Sequence, residues 1–245
     1  MLRPFPSPDA SMGDARTAAA RPLLALDTST SVGGVAIGDG SVLLAEVTLG
    51  RPARHSEALL PAIEYALASA GCRRTDIGGI VVGAGPGSFT GVRIAAATAK
   101  ALVHAWSVPL HAWSSLAMVA AGCGQRGRRL VPMFDARRGE VYAACYRLAT
   151  DGLGTLLPPF AAPIEELLER VQPEDALFVG EGAVLHADRI QARGGTVAAG
   201  PASLPRPAAL LWLAARQPDA GQVARPSVWE PGYVRASGAQ RIRGA

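Results

Sequence analysis

Two stretches of this sequence are variants of one phrase. Leu23 to Leu26 is a short apolar run that ends in Asp27, turns through Thr28 to Ser31, and re-enters an apolar run from Gly33 to Ile37. Leu130 to Phe134 ends in Asp135, turns through Ala136 to Gly139, and re-enters from Glu140 to Tyr146. Short apolar runs bounded by turn residues are strands by pattern. In the first copy, Gly38-Asp39-Gly40 predicts a hairpin into a third strand, Val42 to Val47. A helix is expected next over Ser56 to Ala70, with Ser56 as N-cap, Glu57 against the helix dipole and Gly71 closing the end. Ile77 to Val82 then reads as a strand, Thr90 to Trp106 as a helix, and Val108 to Ala112 as a strand.

The second copy continues with a helix over Ile164 to Val171, a strand over Leu177 to Val179, and helical patterns near Ala183 to Gln191 and Pro207 to Arg216. Thr150 to Pro163, dense in Pro and Gly, reads as a loop. The order β-β-β-α-β-α thus occurs twice, less cleanly the second time. A duplication of this kind predicts a two-lobed α/β architecture with a cleft where the Asp turns face each other. The expected lobes are residues 22–120 and 121–245, with the C-terminal segment free to pack back on the first lobe. Residues 1–21, rich in Pro, Ala and Ser, read as a disordered tail, and either Met1 or Met12 could start the chain.

The 245 residues are 49% hydrophobic and 18% charged, a globular composition. No apolar run approaches the roughly 18 residues of a membrane span, and the N-terminus lacks a signal-peptide pattern. Cys72, Cys123 and Cys145 are odd in number and widely spaced. That argues against a disulfide framework and for a reducing, cytoplasmic setting. The net charge of +4 is mild, and Lys100 is the only lysine. The local clusters Arg126, Arg128, Arg129 and Arg137, Arg138 fit a solvated rim or an RNA contact.

Asp27-Thr28-Ser29 ends a strand, the usual ligand position in α/β folds. Its hydroxyls and N–H groups make it a candidate phosphate site, with Asp27, and Asp135 in the second copy, as candidates to hold a magnesium-bound water. The alternative is a turn stabilised by its own side chains. Gly85-Pro86-Gly87-Ser88-Phe89-Thr90-Gly91 also invites a nucleotide reading, but its spacing defeats it. A phosphate loop needs Lys-Ser or Lys-Thr after its last glycine, where Val92-Arg93 stands. What remains is a strand-to-helix turn that lets backbones approach closely. His55 has Leu59, not a second histidine, four residues on, so a metal pair is not expected there.

LLALDTST, RHSEALLP, GIVVGAGPGSFTGVRIAAATAKAL, DARRGEVYAA and the closing PGYVR together resemble the bacterial TsaB family, also called YeaZ, of tRNA threonylcarbamoyladenosine biosynthesis proteins. The resemblance implies the duplicated actin, Hsp70 and sugar-kinase (ASKHA) fold and a non-catalytic subunit. Its partner would be the paralogue TsaD, which carries the metal and the ATP, with TsaE as a third component and tRNA reached only through the complex. It implies no firmly bound cofactor, no catalytic residue on this chain, and a homodimer when the chain is alone. The docking face is expected on the two first-lobe helices, with Leu59, Ile63, Leu67, Phe89 and Leu102 as candidates. Leu59→Glu or Leu102→Glu would then weaken association. The motif turn is Gly85, Pro86, Gly87, Ser88, Thr90, Gly91 and Arg93. A kinase-like ATP-binding enzyme, with Gly180 and Gly182 near its adenosine, and a metallopeptidase-like protein are the alternatives.

Overall fold

Alternation along each strand decides which layer every side chain enters. In β1 (Leu23–Asp27), Leu24 and Leu26 point to one face of the sheet and Ala25 to the other. The computed structural model describes residues 21–50, 54–198 and 200–234. The expected tail lies outside these residues apart from Arg21, as do Met12 and Arg235.

The first sheet adds β2 (Gly33–Gly38), β3 (Leu43–Leu49), β4 (Gly79–Gly83) and β5 (Leu110–Trp113), in the order β3-β2-β1-β4-β5. The second holds β6 (Arg129–Asp135), β7 (Glu140–Leu148), β8 (Leu153–Pro163), β9 (Ala176–Val179) and β10 (Thr196–Val197). Its order, β10-β9-β6-β7-β8, is the first sheet's order repeated. In each, the first strand runs antiparallel to the second and parallel to the fourth.

The loop expected over Thr150 to Pro163 is corrected: β8 fills most of it and pairs with β7. Pro158, Pro159 and Pro163 cannot donate to a ladder, but β8 is an edge strand with one neighbour, so they are tolerated. This strand is the element missing from the second copy in the sequence.

Helices α1 (His55–Ser69) and α2 (Phe89–Trp106) cover the outer face of the first sheet. α3 (Ser115–Gly122) leaves the first lobe and packs on the second sheet. On the outer face of that sheet lie α4 (Ile164–Val171), α5 (Glu181–Leu185) and α6 (Ala187–Ala192). α7 (Ala208–Arg216) crosses back onto the first sheet, and α8 (Pro218–Gly221) follows it. The result is five layers, with α3 and α7 side by side between the sheets. Each lobe therefore lends the other a helix, and the apolar cluster they share welds the lobes together.

Glu46 of β3 pins the returning chain. Its carboxylate accepts from Arg206 at 2.6 Å and from the Ala208 backbone N–H at 3.1 Å, at the start of α7. Two local expectations need revision. α1 begins at His55 with Arg54 as its cap residue, so Ser56 lies inside the helix. The pattern near Ala183 to Gln191 breaks into α5 and α6.

A cleft closed by its own turns

Between the lobes lies a cleft of about 720 Å³, lined from one side by Thr28 to Ser31 and Gly87 to Gly91 and from the other by Phe134 to Arg137. The two Asp turns do face each other. Ser31 Oγ donates to Glu181 Oε2 at 2.8 Å and so spans the gap.

The Asp27 carboxylate is turned away from this cleft. It is 1% exposed, and its Oδ1 accepts from the backbone N–H and the hydroxyl of Ser29, each at 2.7 Å. Its Oδ2 accepts from Ser115 Oγ at 2.5 Å, and Ser115 in turn accepts from the Gly85 N–H at 3.1 Å. A Cβ on Gly83 would lie 1.6 Å from Oδ2, so the glycine makes the room the carboxylate fills. Thr28 is equally committed: its hydroxyl donates to the Gly91 carbonyl at 2.7 Å. The side chains of Asp27, Thr28 and Ser29 thus stabilise their own turn, the second of the two readings open to them from the sequence. These groups satisfy one another in the interior, as buried polar atoms must. Asp135 is more open, but its Oδ1 accepts from the Arg137 N–H at 2.8 Å and its Oδ2 lies 3.9 Å from the Arg137 guanidinium.

Burial pushes the Asp27 carboxyl above its ordinary value, opposed by the hydrogen bonds from Ser115 and Ser29. The folded state therefore holds this proton more tightly than the unfolded chain does. Stability from this source is full below the ordinary carboxylate value of 3.8 and is lost as pH rises through the raised one. Wild type should lose stability relative to Asp27→Asn over that window, measured as the difference in urea-unfolding free energy at successive pH values. A difference that stays flat, or grows with pH, would show the carboxyl to be unshifted or depressed.

The glycine-rich turn meets this first turn directly. Ser88 N–H donates to the Ser29 carbonyl at 2.7 Å. A Cβ on Gly87 would lie 2.2 Å from Ser29 O, and one on Gly91 would lie 1.9 Å from Thr28 O. The glycines let two backbones touch, as the spacing argument left them free to do. Ser88 caps α2 by accepting from the Gly91 N–H, a role the sequence reading missed although Ser before a helix signals it. The second lobe repeats the device: a Cβ on Gly180 would lie 2.5 Å from Met133 O, and Gly182 presses on the same backbone. Gly180 and Gly182 thus serve a strand-to-helix turn against β6.

The docking residues expected on the first-lobe helices sort into two groups. Leu59, Ile63, Leu67 and Leu102 are corrected: all are buried in the core between α1, α2 and the sheet. They recur on the stripe that faces the strands, and a helix buries that stripe first. The outward residues are Leu60, 56% exposed, and Tyr65, 68% exposed, with Phe89 at the start of α2. The small residues of α2 serve both sides, Ala95 and Ala99 against the sheet and Ala97 and Ala101 outward.

His55 is buried, with Nε2 3.4 Å from the Leu49 carbonyl. Among the described residues no three His, Cys, Asp or Glu side chains gather as a metal-ligand set. Cys72, Cys123 and Cys145 are free thiols. Of the arginine clusters, Arg129 donates to the carbonyls of Val171, Gln172 and Glu174 at the C-terminal end of α4 and just past it, a structural task. Arg137 and Arg138 form the exposed tip of the β6–β7 hairpin. No helix among the described residues is long and apolar enough to cross a membrane.

Two duplicated α/β lobes, each with its Asp-ended first strand at an interlobe cleft, define a protein of the actin, Hsp70 and sugar-kinase class. Within that class a family model described as TsaD, tRNA N6-adenosine threonylcarbamoyltransferase, matches residues 46–211. The TsaB protein of Bacillus subtilis (strain 168) is 33% identical over 196 residues, 78% of this chain and 86% of that one. The TsaB protein of Escherichia coli (strain K12) is 31% identical over 219 residues, 87% of this chain and 94% of that one. The structure of YeaZ from Pseudomonas aeruginosa aligns with a TM-score of 0.73 at 30% identity, covering 86% of this chain and 99% of that one. The chain belongs to the TsaB (YeaZ) family of tRNA threonylcarbamoyladenosine biosynthesis proteins.

Proposed function

We propose that this protein is a non-catalytic subunit that binds and activates a TsaD-type threonylcarbamoyltransferase in the formation of N6-threonylcarbamoyladenosine on tRNA. Membership of the TsaB family supports the pathway. The observation that carries the non-catalytic role is the turn at Asp27, whose carboxylate and neighbouring hydroxyls are bonded to each other and to the Gly85–Gly91 backbone. In this reading the ATP and metal belong to the transferase, TsaE joins as a third component, tRNA is met through the complex in the cytoplasm, and the chain pairs with itself when the transferase is missing. The docking face is the outer side of α1 and α2, centred on Leu60, Tyr65 and Phe89. Exposed apolar groups on neighbouring helices are what a partner buries most profitably.

The test is reconstitution of tRNA modification from purified TsaD, TsaE and the threonylcarbamoyl-adenylate supply, with and without this chain. Product formation should depend on the chain, and the chain alone should hydrolyse ATP far more slowly than the complex. ATP turnover by the pure chain at the rate of the complex would overturn the reading, as would unchanged modification in its absence. Leu60→Glu and Tyr65→Glu should each weaken TsaD binding by about tenfold or more while leaving the thermal midpoint in place. Full binding by both folded variants would remove this face from the interface.

A further inference from the structure

A second cavity adjoins the cleft and differs from it in kind. It holds about 420 Å³ and is walled by Val32 from the first lobe, Phe134 and Val184 from the second, and Pro201, Leu204 and Pro205 from the turn that leads into α7. Val184 and Leu204 are 51% and 46% exposed, so these apolar walls face solvent and seal no core. A pocket of this size, largely apolar with few polar groups, has the form of a small-molecule site.

Its side-chain polar groups are committed, with one exception. Thr30 Oγ1 donates to the Val32 carbonyl at 2.8 Å, and Ser203 Oγ donates to the Ala198 carbonyl. Ser31 Oγ donates to Glu181 Oε2 at 2.8 Å, and both residues line this pocket and the cleft alike. Glu181 Oε1 has no hydrogen-bond partner, and Glu181 makes no ion pair, among the described residues. No Lys, Arg or His lines the pocket, so this carboxylate is its one charge. The main cleft is different, since Arg137 and His55 line it beside its acids. Charge complementarity therefore calls for a cation on Glu181, and the hydrocarbon walls call for an apolar body behind it. An anion, a nucleotide phosphate included, meets the carboxylate with no cation to offset it.

We propose that this pocket binds a small organic ammonium ion with an apolar body, its charge on Glu181 Oε1 and its hydrocarbon between Val32, Phe134, Val184 and Leu204. The walls come from both lobes, and Ser31 already ties Glu181 across the gap. An occupant adds a second contact to that tie, so binding stabilises the lobes in their present arrangement. The site stands apart from the outer faces of α1 and α2, and it does not rest on the function proposed above.

The experiment titrates the full-length chain with cyclohexylmethylammonium, read by calorimetry and by thermal midpoint. Neutral cyclohexylmethanol and anionic cyclohexanecarboxylate, of similar shape, are the comparison. The cation should bind saturably at one site and raise the midpoint, and the other two should bind about tenfold more weakly or worse. Added salt should weaken the cation alone. Glu181→Gln keeps an acceptor for Ser31, so it should hold its own midpoint while losing the cation about tenfold. Leu204→Ala should weaken the cation several-fold through lost apolar wall. The comparison of probes on the wild-type chain decides the matter even if a variant folds poorly. Equal affinity for all three probes overturns the site, as does undiminished cation binding in folded Glu181→Gln or the lack of any saturable binding. Adenosine binding tighter than the cation would give the pocket to a nucleoside instead. Displacement of the cation by saturating TsaD-type transferase would give Glu181 to a lysine or arginine of that protein, and either result overturns the proposal.

Discussion

Gly91→Ala is expected to destabilise the protein by about 3 kcal/mol or more, read as a fall in the urea midpoint, even though alanine is the better helix former. Gly91 lies in the first turn of α2. On propensity alone, alanine there would gain about 1 kcal/mol. The added Cβ would lie 1.9 Å from the Thr28 carbonyl oxygen, however, far inside contact distance. That carbonyl cannot yield cheaply. The same turn is tied to the loop by the Thr28 hydroxyl on the Gly91 carbonyl and by Ser88 N–H on Ser29 O. Forced overpacking of backbone on backbone costs 1–3 kcal/mol or more, so the steric term wins. Gly50→Ala is the control: among the described residues nothing lies within 4 Å of its Cβ, and it should be near neutral. A Gly91→Ala protein as stable as wild type would mean that the glycine-rich turn does not rest on the Asp27 turn.

The second large effect separates two neighbours in α1. Leu59→Glu should abolish soluble, folded protein, with a loss of about 3–5 kcal/mol, while Leu60→Glu should leave the midpoint within about a degree of wild type. Leu59 is 1% exposed in the apolar cluster that includes Leu24, Val35 and Ile63, so a carboxylate there is taken out of water into a hydrophobic core. Leu60 is 56% exposed and meets the charge with solvent already in place. Circular dichroism melts of both variants decide the matter. A folded Leu59→Glu protein with only partner binding impaired would return Leu59 to the interface and sink the burial argument.

This pair shows where a sequence reading reaches its limit. The spacing of Leu59, Ile63 and Leu67 correctly marks a helix with an apolar stripe, and GPGSFTGVR correctly marks a strand-to-helix turn that is no phosphate loop. The stripe alone does not say whether a sheet of the same chain or a partner covers it, since both demand apolar residues. The third strand of the second lobe was hidden for a related reason. Pro158, Pro159 and Gly154 are turn residues locally, and only pairing along one side of β7 makes them a strand. PGYVR was legible as a motif, but its meeting with Phe89 depends on a fold that returns the chain across the first lobe.

The duplicated strand order, the Asp at the end of each first strand and the glycine-rich turn between β4 and α2 are legible in local periodicity and backbone sterics. The surroundings of their side chains were set by the fold. It placed Asp27 under Ser29 and Ser115, set Gly87 and Gly91 against the first turn, and turned Leu60, Tyr65 and Phe89 outward. Burial and hydrogen-bond satisfaction are sums over neighbours distant in sequence, and those neighbours exist only once the lobes have closed on each other.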